Sequence, residues 1–283
     1  MIDRRIAGLL LALGALPVAN ASAQGVLLQI RPRVGDTMTV RLDQKVEMTG
    51  VPPGCATGYS GNRREAPRDS APRSCAGSTR QMTTVMEVFS KAIVRRSSPG
   101  GATVLAVTDS IRTAMSSGAG KAARPRRVPS SSKTIEMRVS TDGGAEVVDA
   151  DATAEMRAIF GEMPATLSQR PVAVGETWQR QMRIPISTEA GQTGTVRATF
   201  RLDSLGNNGD MAYISMKGTL SHDHPDSELD GWMSGTMQLD RRIAWITDTR
   251  AVIDVESTVQ PSGGTPMRVR TKITQALKAR PVR

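Results

Sequence analysis

Histidine, cysteine and aromatic side chains are all scarce in this chain. Two His and two Cys among 283 residues put multi-His metal cages and four-thiolate zinc ribbons out of reach. Eight aromatics, three Phe, three Trp and two Tyr, are too few for a binder that stacks on sugars or single-stranded nucleic acid. Catalytic signatures are missing as well. No Gly-x-Ser-x-Gly elbow occurs, and Gly118-Ala119-Gly120-Lys121 lacks both the spacing and the hydroxyl residue of a phosphate loop. Ser130-Ser131-Ser132-Lys133 matches Ser-x-x-Lys only formally, because a Pro/Ser linker runs from it straight into an alternating strand. The helix that places such a Lys one turn beyond its Ser is therefore absent from the pattern. The chain is expected to be non-enzymatic and to need no cofactor. Beyond the first two dozen residues no apolar run approaches the ~20 residues of a membrane helix, so an integral membrane protein is not expected.

What is present starts with an export signal. Arg4 and Arg5 precede an apolar stretch from Ile6 to Ala19, and Ala21-Ser22-Ala23 forms a small-x-small cleavage site before Gln24. Residues 1–23 are read as a cleavable signal peptide with cleavage after Ala23. The mature chain then belongs to a periplasmic or extracellular space, where Cys55 and Cys75, bracketing a polar loop, are expected to form a disulfide. Closing a loop of ~20 residues would contribute about 3 kcal/mol.

Period-2 alternation dominates the rest. Met38, Val40, Leu42, Val46 and Met48 share one face, with Thr39, Arg41, Asp43, Lys45 and Glu47 opposite. Ile135, Met137 and Val139 repeat the pattern, as do Val196, Ala198, Phe200 and Leu202, and Met267, Val269, Thr271 and Ile273. Such runs are antiparallel strands with one buried and one wet face. Met82–Val94 carries apolar residues on both faces and is expected to be covered on both. Gly- and Pro-rich turns separate the runs into about ten or eleven strands. One segment departs. Met156, Ile159, Phe160, Met163 and Leu167 recur at helical spacing behind Asp151 as N-cap. Residues 151–167 are expected to form an amphipathic helix on the concave face of a curved sheet. Residues 116–132, rich in Gly, Pro, Ser and basic side chains, are expected to form a flexible basic loop.

A short motif recurs. Val34-Gly35-Asp36-Thr37 returns as Val174-Gly175-Glu176-Thr177, followed by Trp178. Each copy precedes a strand, so the chain reads as one β-rich domain with two related halves, 24–150 and 168–283, or as one sheet entered twice through the same turn chemistry. With these V-G-D-T and V-G-E-T-W turns, an export signal and long terminal strands, the chain resembles a family of uncharacterised exported bacterial β-rich proteins, known as a domain of unknown function. The resemblance spans most of residues 26–277 and implies a non-catalytic exported protein. The expected layout is mainly β, a large curved antiparallel sheet or half-barrel with one helix inside. It is similar at the level of fold to the periplasmic lipoprotein-carrier half-barrels.

Three candidate sites follow. A Met-rich, aromatic-poor interior under a helix suits an acyl chain or another apolar ligand, and Met86, Phe89, Met156, Ile159, Phe160 and Met163 are its expected lining. His222 and His224, with Asp226 or Glu228 supplying an oxygen, are a candidate metal site and the centre of a rival metal-dependent hydrolase reading. A polar loop around Pro225 is the simpler account of that cluster. The formal net charge of +10, +9 once Asp3, Arg4 and Arg5 are removed, offers an anionic envelope surface as a partner through the basic loops. Nucleic acid is not expected as a partner.

Overall fold

A computed structural model describes residues 25–51, 80–118, 126–128, 134–149, 165–185, 193–222, 229–259 and 267–282. The alternating runs become strands, as their two-residue period requires. The first meander comprises β1 (Thr37–Val51), β2 (Arg80–Ser98), β3 (Gly101–Ser117), β4 (Arg126–Val128), β5 (Thr134–Ser140) and β6 (Ala145–Val147). The second comprises β7 (Thr177–Pro185), β8 (Thr193–Gly206), β9 (Met211–His222), β10 (Leu229–Asp240), β11 (Trp245–Val259) and β12 (Met267–Pro281). All twelve belong to one antiparallel sheet in the order β6-β5-β3-β2-β1-β12-β11-β10-β9-β8-β7, with β4 beside β3. The two halves of the chain are thus joined through β1 and β12, which pair continuously from Met38↔Pro281 to Val51↔Arg268. The basic segment is partly built into the sheet: Ser116 and Ser117 finish β3, and Arg126–Val128 return along it, Ile111 opposite Val128.

The sheet bends until its two edges approach each other at one rim. Arg180 on edge strand β7 forms an ion pair with Asp142, in the β5–β6 turn beside the other edge, at 3.3 Å. The Thr166 and Leu167 amides donate to the Asp142 carbonyl at 3.0 and 2.8 Å. A strap of residues 25–34 crosses the same rim from edge to edge. Val26 pairs with Val172, the Ile30 amide donates to the Thr141 carbonyl at 2.8 Å, and the Arg31 amide to the Ala244 carbonyl at 3.0 Å. A segment that meets both edges of one sheet must lie on its concave side. Leu28 and Ile30 therefore enter the main core, with Phe200, Leu202, Ile214 and Leu239. Leu28 is 0% exposed.

The two recurring turns have the same geometry. Gly35 and Gly175 sit at φ +89° and +88°, a left-handed conformation that glycine adopts without steric cost. In each turn the acid reaches back to an amide three residues earlier: Arg33 N–H donates to Asp36 at 2.8 Å, and Ala173 N–H to Glu176 at 2.9 Å. In each, the glycine amide donates to the next strand, Gly35 to the Val94 carbonyl and Gly175 to the Leu202 carbonyl. The Val94 and Leu202 amides donate in return to the carbonyls of Asp36 and Glu176. The backbone amide of Ala173 and the neighbouring Arg170 hold the Glu176 carboxyl below its ordinary range.

Of residues 151–167, only Ala165, Thr166 and Leu167 are described. They are irregular rather than helical, and Leu167 is fully buried in the core. The remainder of the expected helix lies outside the described residues.

Candidate functional site: the concave face

Face assignment follows from register. Met38 is buried beside the strap-side core, so Val40, Leu42, Gln44, Val46 and Met48 also point into the concavity. Across β1 and β2, Leu42 faces Val88, Gln44 faces Met86 and Met48 faces Met82. Across β1 and β12, Leu42 faces Leu277, Gln44 faces Gln275 and Val46 faces Ile273. Ile253 opposite Ile273 and Met233 opposite Ile253 continue the floor toward β10. The alternating faces read from sequence as buried are the concave ones in every run.

Burial along this floor is uneven. Near the strap it is closed: Met38, Val94, Val104, Phe200, Leu202 and Leu239 are all buried. Trp178 stacks on Phe200 with centroids 5.7 Å apart and planes 12° apart. Its indole N–H donates to the Thr166 carbonyl at 2.9 Å. Toward the opposite rim the same face is only half-buried, from Leu42 through Met48 and from Met86 back to Thr84. There Met82 is 37% and Met115 64% exposed. Among the described residues no element covers this part of the floor. Glycine shapes it: a Cβ on Gly235 would fall against the Arg250 carbonyl and the Met216 methyl, and one on Gly231 would lie 2.7 Å from the Asp254 carbonyl. Such close approach marks the sharp bend of the sheet across β9, β10 and β11. Gln44 and Gln275 are polar exceptions in mid-floor, and neither amide has a hydrogen-bond partner among the described residues.

The expected lining separates. Met86 is on the concave floor. Phe89, three residues on, is on the convex face, because an odd offset along a strand reverses the side. Its ring lies between the guanidinium groups of Arg41 and Arg112, each 5.3 Å from the centroid, and Glu87 pairs with both arginines at 3.6 Å. Phe89 is therefore removed from the lining. Aliphatic stems and cation–π contact supply the cover on the outer side of β2 that its two apolar faces required. Met156, Ile159, Phe160 and Met163 lie outside the described residues, as do Cys55, Cys75, His224 and Asp226. His222 ends β9 opposite Gly194. Among the described residues no three His, Cys, Asp or Glu side chains gather into a metal-sized group.

The Asp142–Arg180 pair was not foreseen. Arg180 projects from β7 into the concavity, which a charge would not do unless paired. Its other acceptor is the Leu167 carbonyl. Asp142 also accepts from the Ser140 hydroxyl and, at 3.0 Å, from the Gln169 amide. Burial pushes the Asp142 carboxyl upward, but the Ser140 and Gln169 hydrogen bonds and the Arg180 charge together hold it below its ordinary value.

No family model matches the chain, and no curated protein matches it. Among solved structures it is similar to lipovitellin, in a structure described by its lipid–protein interactions, at 8% identity and a TM-score of 0.49, over 89% of this chain. The chain spans only 26% of that lipovitellin chain. An outer membrane channel from Pseudomonas putida is similar at 9% identity and a TM-score of 0.24, covering 93% of this chain and all of the channel. Among the described residues no helix is long and apolar enough to cross a membrane.

Proposed function

We propose that the protein is an exported, non-enzymatic binder of an amphipathic ligand with an acyl-type chain, held on the uncovered part of the concave floor. One observation carries the reading. A largely apolar surface from β3 to β10 stays half-exposed where the rest of the same face is packed, and exposed apolar surface of this kind marks a binding site. Gln44 and Gln275 refine the ligand class. Two facing amides with open hydrogen-bonding capacity suit the ester or carboxyl end of a lipid, and a plain hydrocarbon would leave them unsatisfied. The absence of catalytic motifs in the sequence supports binding without turnover.

The test is extraction of the purified full chain with organic solvent, followed by mass spectrometry and titration with a fluorescent fatty acid. Acyl lipid is expected to co-purify, and Val46→Glu/Met86→Glu to weaken probe binding about tenfold or more, since each substitution puts a charge on the floor. A lipid-free protein that ignores the probe overturns the reading.

A further inference from the structure

Beyond the apolar outer side of β2, the convex face carries many charged residues, and most of its cations face carboxylates. Arg41 pairs with Asp43, Arg250 with Asp248, Arg268 with Glu256 and Arg270 with Asp254. The β12 lysines are placed similarly: Lys272 stands in register between Glu47 and Asp254, and Lys278 faces Asp248. One quadrant breaks this rule. On β8, Arg197 has only Gln181 and Thr219 as register neighbours; on β9, Lys217 has only Thr199 and Ser234. Neither cation has a carboxylate partner among the described residues. They are diagonal neighbours on adjacent strands, about 7 Å apart by ordinary sheet geometry. Both line an open depression of about 830 Å³ whose other outward side chains, Gln179, Gln181, Thr199 and Thr219, are neutral hydrogen-bonding groups.

A second feature belongs to the same surface. Trp232 on β10 stands opposite Thr219, continuing the row Gln181–Arg197–Thr219. It is 48% exposed, whereas Trp178 is buried and Trp245 half-buried. The outward acid in register with Trp232 is Asp254, opposite it on β11 and committed to Arg270 at 2.7 Å, while Asp230 lies opposite Ser221, one pair beyond Trp232. Unpaired cations attract phosphate-bearing headgroups, and an exposed indole beside them prefers the boundary between headgroup and acyl chain.

We propose that this convex quadrant is a docking surface for an anionic phospholipid bilayer, with headgroup phosphates between Arg197 and Lys217 and the Trp232 indole at the interface. The indole selects the bilayer over free phosphate, which would need only the cations. The proposal is independent of the concave site.

The experiment is co-sedimentation of the full chain with phosphatidylcholine vesicles, with and without phosphatidylglycerol, while following tryptophan emission. Binding is expected only with phosphatidylglycerol, together with a shift of emission to shorter wavelength that Trp232→Phe abolishes. Arg197→Glu/Lys217→Glu is expected to weaken binding about twentyfold or more, at roughly fivefold per cation or better, and Arg197→Gln/Lys217→Gln to weaken it less. Lys272→Glu/Lys278→Glu, with the same change of net charge, is expected to leave most of the binding. Equal losses in the two charge-reversed pairs would mean that net charge alone is responsible, and would overturn the proposal. So would binding to phosphatidylcholine alone, failure to bind either vesicle, or an unchanged emission spectrum on binding. Occupation of the site by inorganic phosphate without vesicle binding would reassign it to a soluble anion.

Discussion

Asp142 concentrates more of the fold's specificity than any other single side chain described above. It answers the inward-facing Arg180, fixes Gln169, and holds together segments from opposite edges of the sheet. Both partners are shielded, with side-chain exposures of 14% and 21%, so loss of the carboxylate leaves a poorly solvated guanidinium. Asp142→Asn is expected to cost about 2 kcal/mol at neutral pH, below the 3–5 typical of a fully buried pair. Its pH dependence follows from the lowered carboxyl. A group whose folded pKa lies below its unfolded value stabilises the fold above the unfolded value, and that contribution is lost as pH falls through the folded one. The gap between wild type and Asp142→Asn in denaturant melts should therefore be full at pH 7 and shrink below about pH 4. A gap that widens on acidification would contradict this assignment. Neither residue announces itself in the sequence. They lie 38 positions apart, and although the spacing from Trp178 and Met182 puts Arg180 on the inward face, nothing local names the carboxylate that answers it. The offset of Met86 and Phe89, by contrast, was readable, since any odd spacing in a strand separates the faces.

At the level of elements, the strands were the most legible part. The period-2 runs located them, and the faces followed without tertiary information. The strap was only partly legible. Leu28, Ile30 and Pro32 alternate with Gln29, Arg31 and Arg33 and take the buried side, but nothing local names the two sheet edges that the segment crosses and that define its role. That role makes a contrast within one short segment. Leu28 is fully buried and Val34 is 63% exposed. Leu28→Ala is expected to lower unfolding free energy by about 3 kcal/mol, and Val34→Ala by less than about 0.5 kcal/mol, both measurable by chemical denaturation. Similar effects at the two positions would show that the strap does not pack as described. The helical pattern at 151–167 ends in an irregular segment by Ala165. There the Thr166 and Leu167 amides are committed to Asp142, and the Thr166 and Leu167 carbonyls to Trp178 and Arg180, rather than to a helix.

For the whole molecule, the repeat of Val-Gly-acid-Thr raised the question of two units or one. The turns are equivalent in geometry, but the strands they introduce belong to one sheet, and the strap contacts both edges of it. Unfolding should accordingly be a single cooperative event. All three tryptophans lie between residues 178 and 245, so fluorescence reports the second meander, while far-ultraviolet circular dichroism reports both. Coincident denaturation curves are expected from the two probes. A dichroism transition in two steps, only one of them shared by fluorescence, would show that the halves melt separately.

The seam between β1 and β12 has a consequence for how the molecule comes into being. Thr39 bonds the carbonyl of Arg280, 241 positions away, so the centre of the finished sheet is also its most non-local contact. Each meander can assemble from neighbours in sequence, but β1 must wait for β12 with one flank unpaired. Such a flank is a template for wrong partners, and pairing at such range is slow. The middle of this protein is the last part of it to exist, and the period before β12 arrives is when aggregation threatens it most.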